Sequence, residues 1–276
     1  MSFYTLLKNI NYTKKIYINT ADFFKAQLDV KIAESKSEIK EAQKLRYKVF
    51  FSERSYQTQF TMESFKKDTD RFDKYSDHIV VTYKKSKFSK MKIIGTYRLL
   101  KQDVAINKSG FYSSNEYNLE KLISSNKYHK MLELSGSCIH ENFRNKNILQ
   151  LMWREIHNYI KINNIDALFG TASFLNIDIS KIENQLIFLN NNFKMPDEIK
   201  VEAHKDHKLD INYNNKIDIN KTLFKNLPTL IKGYIKLNAY VGEGAVVDEK
   251  FKTTDIFIFL PVVKINYNYL SKIIKS

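Results

Sequence analysis

A strongly amphipathic helical pattern, set between two strand patterns, most constrains what this chain can fold into. Residues 148–163 repeat apolar side chains at the spacing of one helix face. These side chains are Ile148, Leu151, Met152, Ile156, Tyr159 and Ile160. Apolar segments at 131–139 and 166–171 flank the helix, and each has the length of a single strand. Because such a helix buries its apolar face against a sheet, we predict helices packed on a sheet.

The patterns before and after this unit complete the predicted sheet. Apolar spacing predicts a helix over 38–52, and residues 53–77 are polar and turn-rich, as is typical of a loop over a cleft. Two strands follow at 78–83 and 92–100, joined as a hairpin. A further helix is predicted over 178–192. The order predicts an α+β fold with a mixed, mainly antiparallel central sheet flanked by helices.

The last third of the chain has weaker patterns. Residues 193–221 are rich in Asp, Asn and Lys and are predicted to be irregular. Leu227-Pro228 predicts the start of a helix that runs to Leu237, since proline suits the first helical turn. A turn at 242–244 and a strand over 254–263 are predicted to close the fold. We predict one domain over residues 1–276, with its core at about 30–192 and the extension 193–276 packed on it.

Composition favours a cytoplasmic protein. Of the 276 residues 43% are apolar, which is enough for a core without disulfides, and the lone Cys138 has no internal partner. No apolar run approaches the roughly 20 residues of a membrane-spanning helix. The N-terminus has no apolar stretch of the kind found in signal peptides.

The formal charge of +15 is carried mainly by scattered lysines. Nucleic-acid binding would concentrate basic residues on a stripe or a tail, and the sequence contains no such block. A basic surface would still attract acidic proteins or an anionic membrane face. Because only six of the 45 basic residues are arginine, a geometric reason is expected for some of them, and the motifs select Arg46, Arg98 and Arg144.

Four short motifs occur in a fixed order. They are Leu45-Arg46-Tyr47-Lys48-Val49-Phe50, Asp70-Arg71-Phe72-Asp73, Gly95-Thr96-Tyr97-Arg98-Leu99-Leu100 and Glu133-Leu134-Ser135-Gly136-Ser137-Cys138. The set resembles the acyltransferase branch that contains acyl-homoserine-lactone (autoinducer) synthases and bacterial ornithine N-acyltransferases. This resemblance implies a GNAT-like acyl-CoA N-acyltransferase fold and the transfer of a fatty acyl group from a carrier thioester to an amine.

The ornithine N-acyltransferase branch is the more similar of the two. Its similarity extends to residues 111–113, 137–139, 151–153 and 227–234, and the last segment has no counterpart in autoinducer synthases. Autoinducer synthases also have an arginine where this chain has Gly136. That departure argues against homoserine-lactone chemistry.

The resemblance implies a set of acceptor-site residues. The residues implied to bind the substrate are Arg46, Phe50, Asp70, Asp73 and Arg98. The two aspartates would hold the charged ends of a cationic amino acid, or form a solvated acidic turn instead. The arginine of the third motif would bind the acceptor's carboxylate, or would pair structurally with one of those aspartates.

Glu133 is the predicted catalytic residue. An α-amino group with a pKa near ~8 is largely charged at neutral pH, so a nearby carboxylate would have to relay its proton. Glu133 is expected at a strand edge facing the cleft, and its alternative is an ordinary strand-surface glutamate.

The acyl donor is expected at the loop that follows the Glu133 strand. The residues implied to bind it are Ser137, Ile139, Arg144, Asn145 and Asn147, with one of the two asparagines capping the next helix. No metal site is expected, and no cofactor beyond the phosphopantetheine arm of an acyl carrier protein. Cys138 beside His140 is expected to be packed rather than nucleophilic.

The expected reaction moves a (3-hydroxy)fatty acyl group from acyl carrier protein to the α-amino group of ornithine, giving lyso-ornithine lipid. The expected partners are acyl carrier protein, a small amino acid and, peripherally, the inner membrane. The alternatives are acylation of glycine, another amine or an S-adenosylmethionine-like acceptor, including autoinducer synthesis. A non-catalytic membrane- or nucleic-acid-binding protein is a further alternative, which Gly136 favours.

Overall fold

The computed structural model describes residues 16–18, 26–54, 66–86, 89–144, 146–217 and 220–275. The strands among these residues are β1 (Ile16–Ile18), β2 (Ala26–Ile32), β3 (Asp77–Lys84), β4 (Lys92–Lys101), β5 (Tyr117–Asn118), β6 (Met131–Ile139), β7 (Ala167–Phe174), β8 (Glu202–Ala203), β9 (Tyr240–Asp248) and β10 (Thr253–Pro261). They form a sheet in the order β1-β2-β3-β4-β6-β7-β10-β9-β8-β5. Its neighbouring strands are antiparallel except β6–β7 and β8–β9, so the predicted mixed sheet is confirmed.

Helices flank this sheet. The α-helices of the described residues are α1 (Lys36–Phe50), α2 (Gln102–Ile106), α3 (Glu120–Ser124), α4 (Lys146–Asn163), α5 (Glu183–Asn192), α6 (Lys221–Asn226), α7 (Thr229–Lys236) and α8 (Tyr267–Lys275). Helix α1 begins at a capping box, in which the Ser35 hydroxyl accepts from the Glu38 amide and the Glu38 carboxylate accepts from the Ser35 amide. This cap sets the start of the helix that carries Arg46.

The two faces of the sheet bury different side chains. Ile256 and Ile258 of β10 belong to a large apolar cluster that includes the buried face of α4. Phe257 and Phe259 alternate with them and belong to a second cluster on the other face of the sheet. Arg98, two residues before Leu100, and Glu133, two residues after Met131, lie on this second face.

Strands β6 and β7 separate partway along their length. Their parallel register pairs Met131 with Ala167, Leu132 with Leu168 and Glu133 with Phe169, and pairing ends there although both strands continue. Gly170 lies at the point of separation, where a Cβ atom would be only 2.2 Å from the Leu134 carbonyl oxygen. The strands can approach this closely only because residue 170 lacks a side chain.

Two local predictions from the sequence are wrong. Residues 242–244 do not form a terminal turn but lie within β9, where the β9–β10 register shifts and Gly244 has φ +86°. The extra residues lie in β9 and form a bulge, while pairing with β10 continues on both sides of it. Glycines are common in bulges as well as in turns, which explains why the sequence pattern indicated a turn. Asn147 is the second residue of α4 rather than its cap, and Asn145 lies outside the described residues.

The C-terminal segment adds strands to the same sheet. Strand β10 pairs with β7 on one side and with β9 on the other. Helix α8 packs against α4, and its Leu270 is buried. The boundaries of the predicted domain stay a prediction.

None of the helices in the described ranges combines the length and the apolar character that crossing a bilayer requires.

Candidate active site

A cavity of about 340 Å³ opens beside the separated strands β6 and β7. Its lining residues come from α1, the segment 68–70, β4, the Tyr112 turn, β6, β7 and the residue after it, the start of α7 and the β9–β10 hairpin. They are Arg46, Phe50, Asp68, Asp70, Tyr97, Arg98, Tyr112, Leu134, Ser135, Gly136, Ser137, Thr171, Ala172, Ser173, Leu175, Pro228, Leu230, Lys250, Phe251, Thr253 and Asp255. Apolar walls with a few convergent charged groups are typical of a binding site for a small molecule.

Arg46 is one of two arginines held by carboxylates at this cavity. Its side chain is 1% exposed, and its Nε donates to Asp68 Oδ2 at 3.0 Å. Its Nη2 donates to the Asp68 carbonyl oxygen at 2.7 Å and to Asp73 Oδ2 at 2.8 Å. Its Nη1 has no hydrogen-bond partner among the described residues. Two aspartates therefore hold the guanidinium while one donor nitrogen stays unused.

Arg98 is the second arginine. Its Nη1 donates to Asp70 Oδ1 at 2.6 Å and to Asp73 Oδ1 at 3.3 Å, and its Nε donates to Ser135 Oγ at 2.9 Å. Asp70 also caps the 3₁₀ helix Arg71–Lys74. Of the two roles considered for Arg98, the structure contains the structural pairing. Both motif aspartates already bind arginine.

The opposite charges of the paired groups set the pKa values of Asp73 and Arg46. Burial alone raises the pKa of Asp73, but Arg46 and Arg98 outweigh that effect and hold the pKa below its usual range. The pKa of Arg46 is raised because Asp68 and Asp73 outweigh its desolvation. Asp73 and Arg46 are therefore charged and paired with each other at neutral pH.

Glu133 lies on the same face as Arg98, but the expectation that it faces the cleft from a strand edge is wrong. Strand β6 is internal to the sheet, and the Glu133 side chain is completely buried. Its Oε2 accepts from the Tyr112 amide at 2.8 Å, and its Oε1 accepts from the amide and hydroxyl of Ser113 at 2.7 and 2.6 Å. The turn that carries Tyr112 thus separates the carboxylate from the cavity. Its catalytic role stays a prediction.

We expect Glu133→Gln to lower the free energy of unfolding by about 1–3 kcal/mol, because an amide nitrogen would leave a buried N–H of Tyr112 or Ser113 without an acceptor. Urea denaturation measures this change. The control is Ser113→Ala, which removes one donor and leaves the carboxylate in place, and should cost about 0.5–1.5 kcal/mol. Wild-type stability in the glutamine variant would contradict the observed bonding.

A β-bulge in β6 accounts for Gly136. Thr96 pairs with Cys138 and Arg98 with Ser135, so β6 contains one extra residue at this point. Gly136 has φ +60°, in the left-handed region that favours glycine, and a Cβ atom there would lie 3.1 Å from Arg46 Cδ. Glycine is the residue that this backbone conformation prefers, so its presence does not by itself indicate loss of activity.

The other predicted site residues are divided between the cavity and its surroundings. Phe50 and Ser137 line the cavity, whereas Ile139 does not. Arg144 is exposed, and it donates to the Ile139 carbonyl oxygen at 3.1 Å and pairs with Glu53. Asn147 is exposed in the first turn of α4.

Cys138 and His140 do not form a nucleophile-and-base pair. Cys138 packs with Leu45 and Val49, and burial raises the pKa of its thiol. His140 Nε2 contacts Lys48 Nζ at 2.8 Å. Burial and Lys48 together lower the pKa of His140.

Several cavity residues were missed by the sequence analysis. Asp68 binds Arg46, and the ring of Tyr112 lies 5.3 Å from the Arg98 guanidinium carbon. Thr253 and Asp255 line the wall formed by β10. The available signal for Asp255 was a lone carboxylate at the start of an otherwise apolar strand.

Comparison with known proteins shows that the fold belongs to the GNAT class of acyltransferases. The profile of the family described as "Acetyltransferase (GNAT) domain" matches residues 45–154. This range includes the last six residues of α1, all of β4 and β6, and the first half of α4, and with them Arg46, Arg98 and Glu133.

Curated relatives narrow the class to a family. The chain is 36% identical to the L-ornithine N(alpha)-acyltransferase of Brucella abortus (strain 2308), over 88% of this chain and 88% of the relative. It is 38% identical to the enzyme of the same name from Rhizobium meliloti (strain 1021), over 89% of this chain and 84% of the relative. The chain belongs to this acyltransferase family, which confirms the resemblance found in the motifs.

Two solved structures have a distantly similar fold. The CoA-dependent acyl-homoserine lactone synthase BjaI has a TM-score of 0.47 at 10% identity, covering 90% of this chain and 87% of that one. FeeM, an N-acyl amino acid synthase from uncultured soil microbes, has a TM-score of 0.42 at 9% identity, covering 86% and 92%.

Proposed function

We propose that the protein transfers a 3-hydroxy fatty acyl group from acyl carrier protein to the α-amino group of ornithine. The product is lyso-ornithine lipid. The acceptor is supported by the names of the relatives, which are L-ornithine N(alpha)-acyltransferases. The donor is supported by the cavity beside the separated strands β6 and β7, and the product follows from this donor and acceptor.

The reaction needs positioning more than activation. The α-amino nitrogen attacks the thioester carbonyl carbon, a C–N bond forms and the C–S bond breaks. The leaving sulfur takes up a proton, the amine loses one, and free carrier thiol is released. Because a thioester is already activated, a cavity that aligns the amine and the carbonyl supplies most of the acceleration.

The separation of β6 from β7 is the observation that carries this proposal. After the Glu133–Phe169 pair, the facing edges of the two strands no longer bond to each other. Ser135 and Ser137 on one edge, and Thr171 and Ser173 on the other, line the cavity. A phosphopantetheine arm contains two amides and is extended, so it can bond to such an edge as an added strand does. The thioester would then lie at the cavity and the acyl chain along its apolar wall.

Glu133 is the proposed proton acceptor, through a relay. Burial raises its pKa, and the donors from Ser113 and Tyr112 offset part of that effect. A raised pKa brings a carboxylate closer to the value that suits a general base at neutral pH. Glu133 and Ser113 are both buried, so the proposed relay needs a path from the cavity to the Ser113 hydroxyl, which donates to Glu133.

The carrier is proposed to dock beside α4. The arm's phosphate would meet the first turn of this helix, at Asn147, with Arg144 nearby. The pair with Glu53 and the bond to the Ile139 carbonyl oxygen hold Arg144 close to the end of β6. The net charge of +15 favours an acidic carrier and peripheral contact with the cytoplasmic membrane face, where the amphiphilic product would leave.

The test is to incubate purified protein with 3-hydroxyacyl carrier protein and single amino acids, and to measure release of carrier thiol. We expect release with ornithine and with Nδ-acetylornithine at high concentration, but not with Nα-acetylornithine. The matched control replaces the carrier thioester with the corresponding CoA thioester and is expected to react more slowly.

Other outcomes identify the alternatives. Thiol release with glycine but not ornithine would assign a different acceptor. Equal rates with the CoA thioester would remove the carrier from the proposal. No release with any acceptor would favour a non-catalytic binding protein.

A further inference from the structure

Three carboxylates lie together beside the cavity. Side-chain oxygens of Glu116, Asp248 and Asp255 all lie within 4.8 Å of one another. The aspartates that the motifs offered for a cationic substrate, Asp70 and Asp73, are bound to arginine. A positively charged acceptor side chain therefore needs acidic partners elsewhere in the cavity.

One residue of this second acidic cluster, Asp255, lines the cavity. Thr253 and Asp255 are two residues apart on β10, so their side chains share a face, and both line the cavity. Asp248 is the cross-strand partner of Thr253, which places it on that face as well. Three oxygen-bearing side chains thus stand at one end of the same sheet face.

Thr253 adds an independent observation. Its side chain is 3% exposed, and its Oγ1 has no hydrogen-bond partner among the described residues. Leaving a buried hydroxyl without a partner is costly, and a ligand in the cavity that donates a hydrogen bond would satisfy it. An ammonium group has three donors and no acceptor, which matches two carboxylates and one hydroxyl oxygen.

The charges of the cluster also favour a cation. Burial and the negative charges of Asp255 and Asp248 raise the pKa of Glu116 to about 8. Within the described part of the chain, neither Glu116 nor Asp248 forms a salt bridge with lysine, arginine or histidine. A bound cation would relieve the repulsion between the three groups.

Arg46 offers the complementary group. Arg46 lines the cavity, and its buried Nη1 lacks an acceptor among the described residues. Among the described residues, the donor Arg46 Nη1 and the acceptor Thr253 Oγ1 therefore both lack a partner. An amino acid with a carboxylate at one end and an ammonium at the other satisfies both.

We propose that Asp255 and Asp248, together with the hydroxyl of Thr253, bind the side-chain ammonium of the acceptor amino acid. This inference rests on the proposed function, because it names the part of that cavity which selects a diamino acid. It makes the β9–β10 hairpin the specificity element, whereas the arginine network maintains the shape of the site.

The test compares ornithine with norvaline, which has the same carbon chain but no δ-amine. Both kcat/KM, from thiol release, and binding, from calorimetry, are measured on the full chain. For Asp255→Asn we expect the ornithine-to-norvaline ratio of kcat/KM to fall about 10- to 100-fold, as for loss of a charged hydrogen bond. Asp248→Asn should lower the same ratio. This second variant tests the proposal if Asp255→Asn does not fold. Glu202→Gln, which removes an exposed carboxylate on β8, is the matched control and should leave the ratio unchanged.

The outcomes separate this inference from the proposed function. The first outcome is a wild-type protein that binds ornithine more tightly than Asp255→Asn does and yet releases no thiol. That result would refute the proposed function and support the inference. Wild-type turnover of ornithine with an unchanged ratio in both aspartate variants would overturn the inference alone. A requirement for added Mg²⁺ or Ca²⁺ that disappears in Asp255→Asn would overturn it in favour of a metal site.

Discussion

Asp73→Ala is expected to lower the free energy of unfolding by about 3–5 kcal/mol, because it removes one member of a buried charge network. Asp73 is 6% exposed and binds both Arg46 and Arg98, so the variant leaves two buried guanidiniums undercompensated. Urea denaturation at pH 7 measures the change. The exposed pair Glu41–Lys44 supplies the control, and Glu41→Ala should stay within about 0.5 kcal/mol of wild type.

The same carboxylate predicts a pH dependence. Because the pKa of Asp73 is lower in the folded protein, its contribution is present above the unfolded pKa of about 3.9 and is lost as the pH falls through the folded value. The stability difference between wild type and Asp73→Asn should therefore be full at pH 6 and shrink below about pH 4. A difference that grows towards low pH would contradict the pairing.

Gly170→Ala is expected to cost about 2–3 kcal/mol of stability, since a methyl group would overlap the Leu134 carbonyl oxygen and neither backbone can yield without strand movement. If the separated strands hold the donor, a shift of about 1 Å should also lower kcat on the order of 100-fold. Denaturation and thiol release measure the two effects.

Gly233→Ala is the matched control for this substitution. Gly233 lies in α7 with no atom within 4 Å of a Cβ, so alanine should stabilise the protein by about 0.5–1 kcal/mol. Wild-type stability and turnover in Gly170→Ala would mean that β6 and β7 separate without the close approach at residue 170.

Glu133 illustrates where prediction from the sequence succeeded and where it ended. The pattern of 131–139 predicted a strand with the observed bounds, and the motif placed a glutamate on it. Whether that glutamate meets solvent depends on Tyr112 and Ser113, which lie some twenty residues earlier in the chain. The pattern of apolar residues near Glu133 cannot predict a contact between such distant parts of the chain.

The sequence did not predict β2, and it predicted a turn where β9 lies. Strands β3, β4, β6 and β7 with helices α1, α4 and α5, and the choice of Arg46 and Arg98 among many basic residues, followed from the sequence alone. Both are local properties, because apolar spacing and residue type are set by neighbours in the chain. The tertiary structure alone decided that Asp68 and Asp73 hold Arg46, and that Asp255 joins Asp248 at the cavity. These contacts depend on strand register, and a shift of one residue turns every side chain to the other face of the sheet.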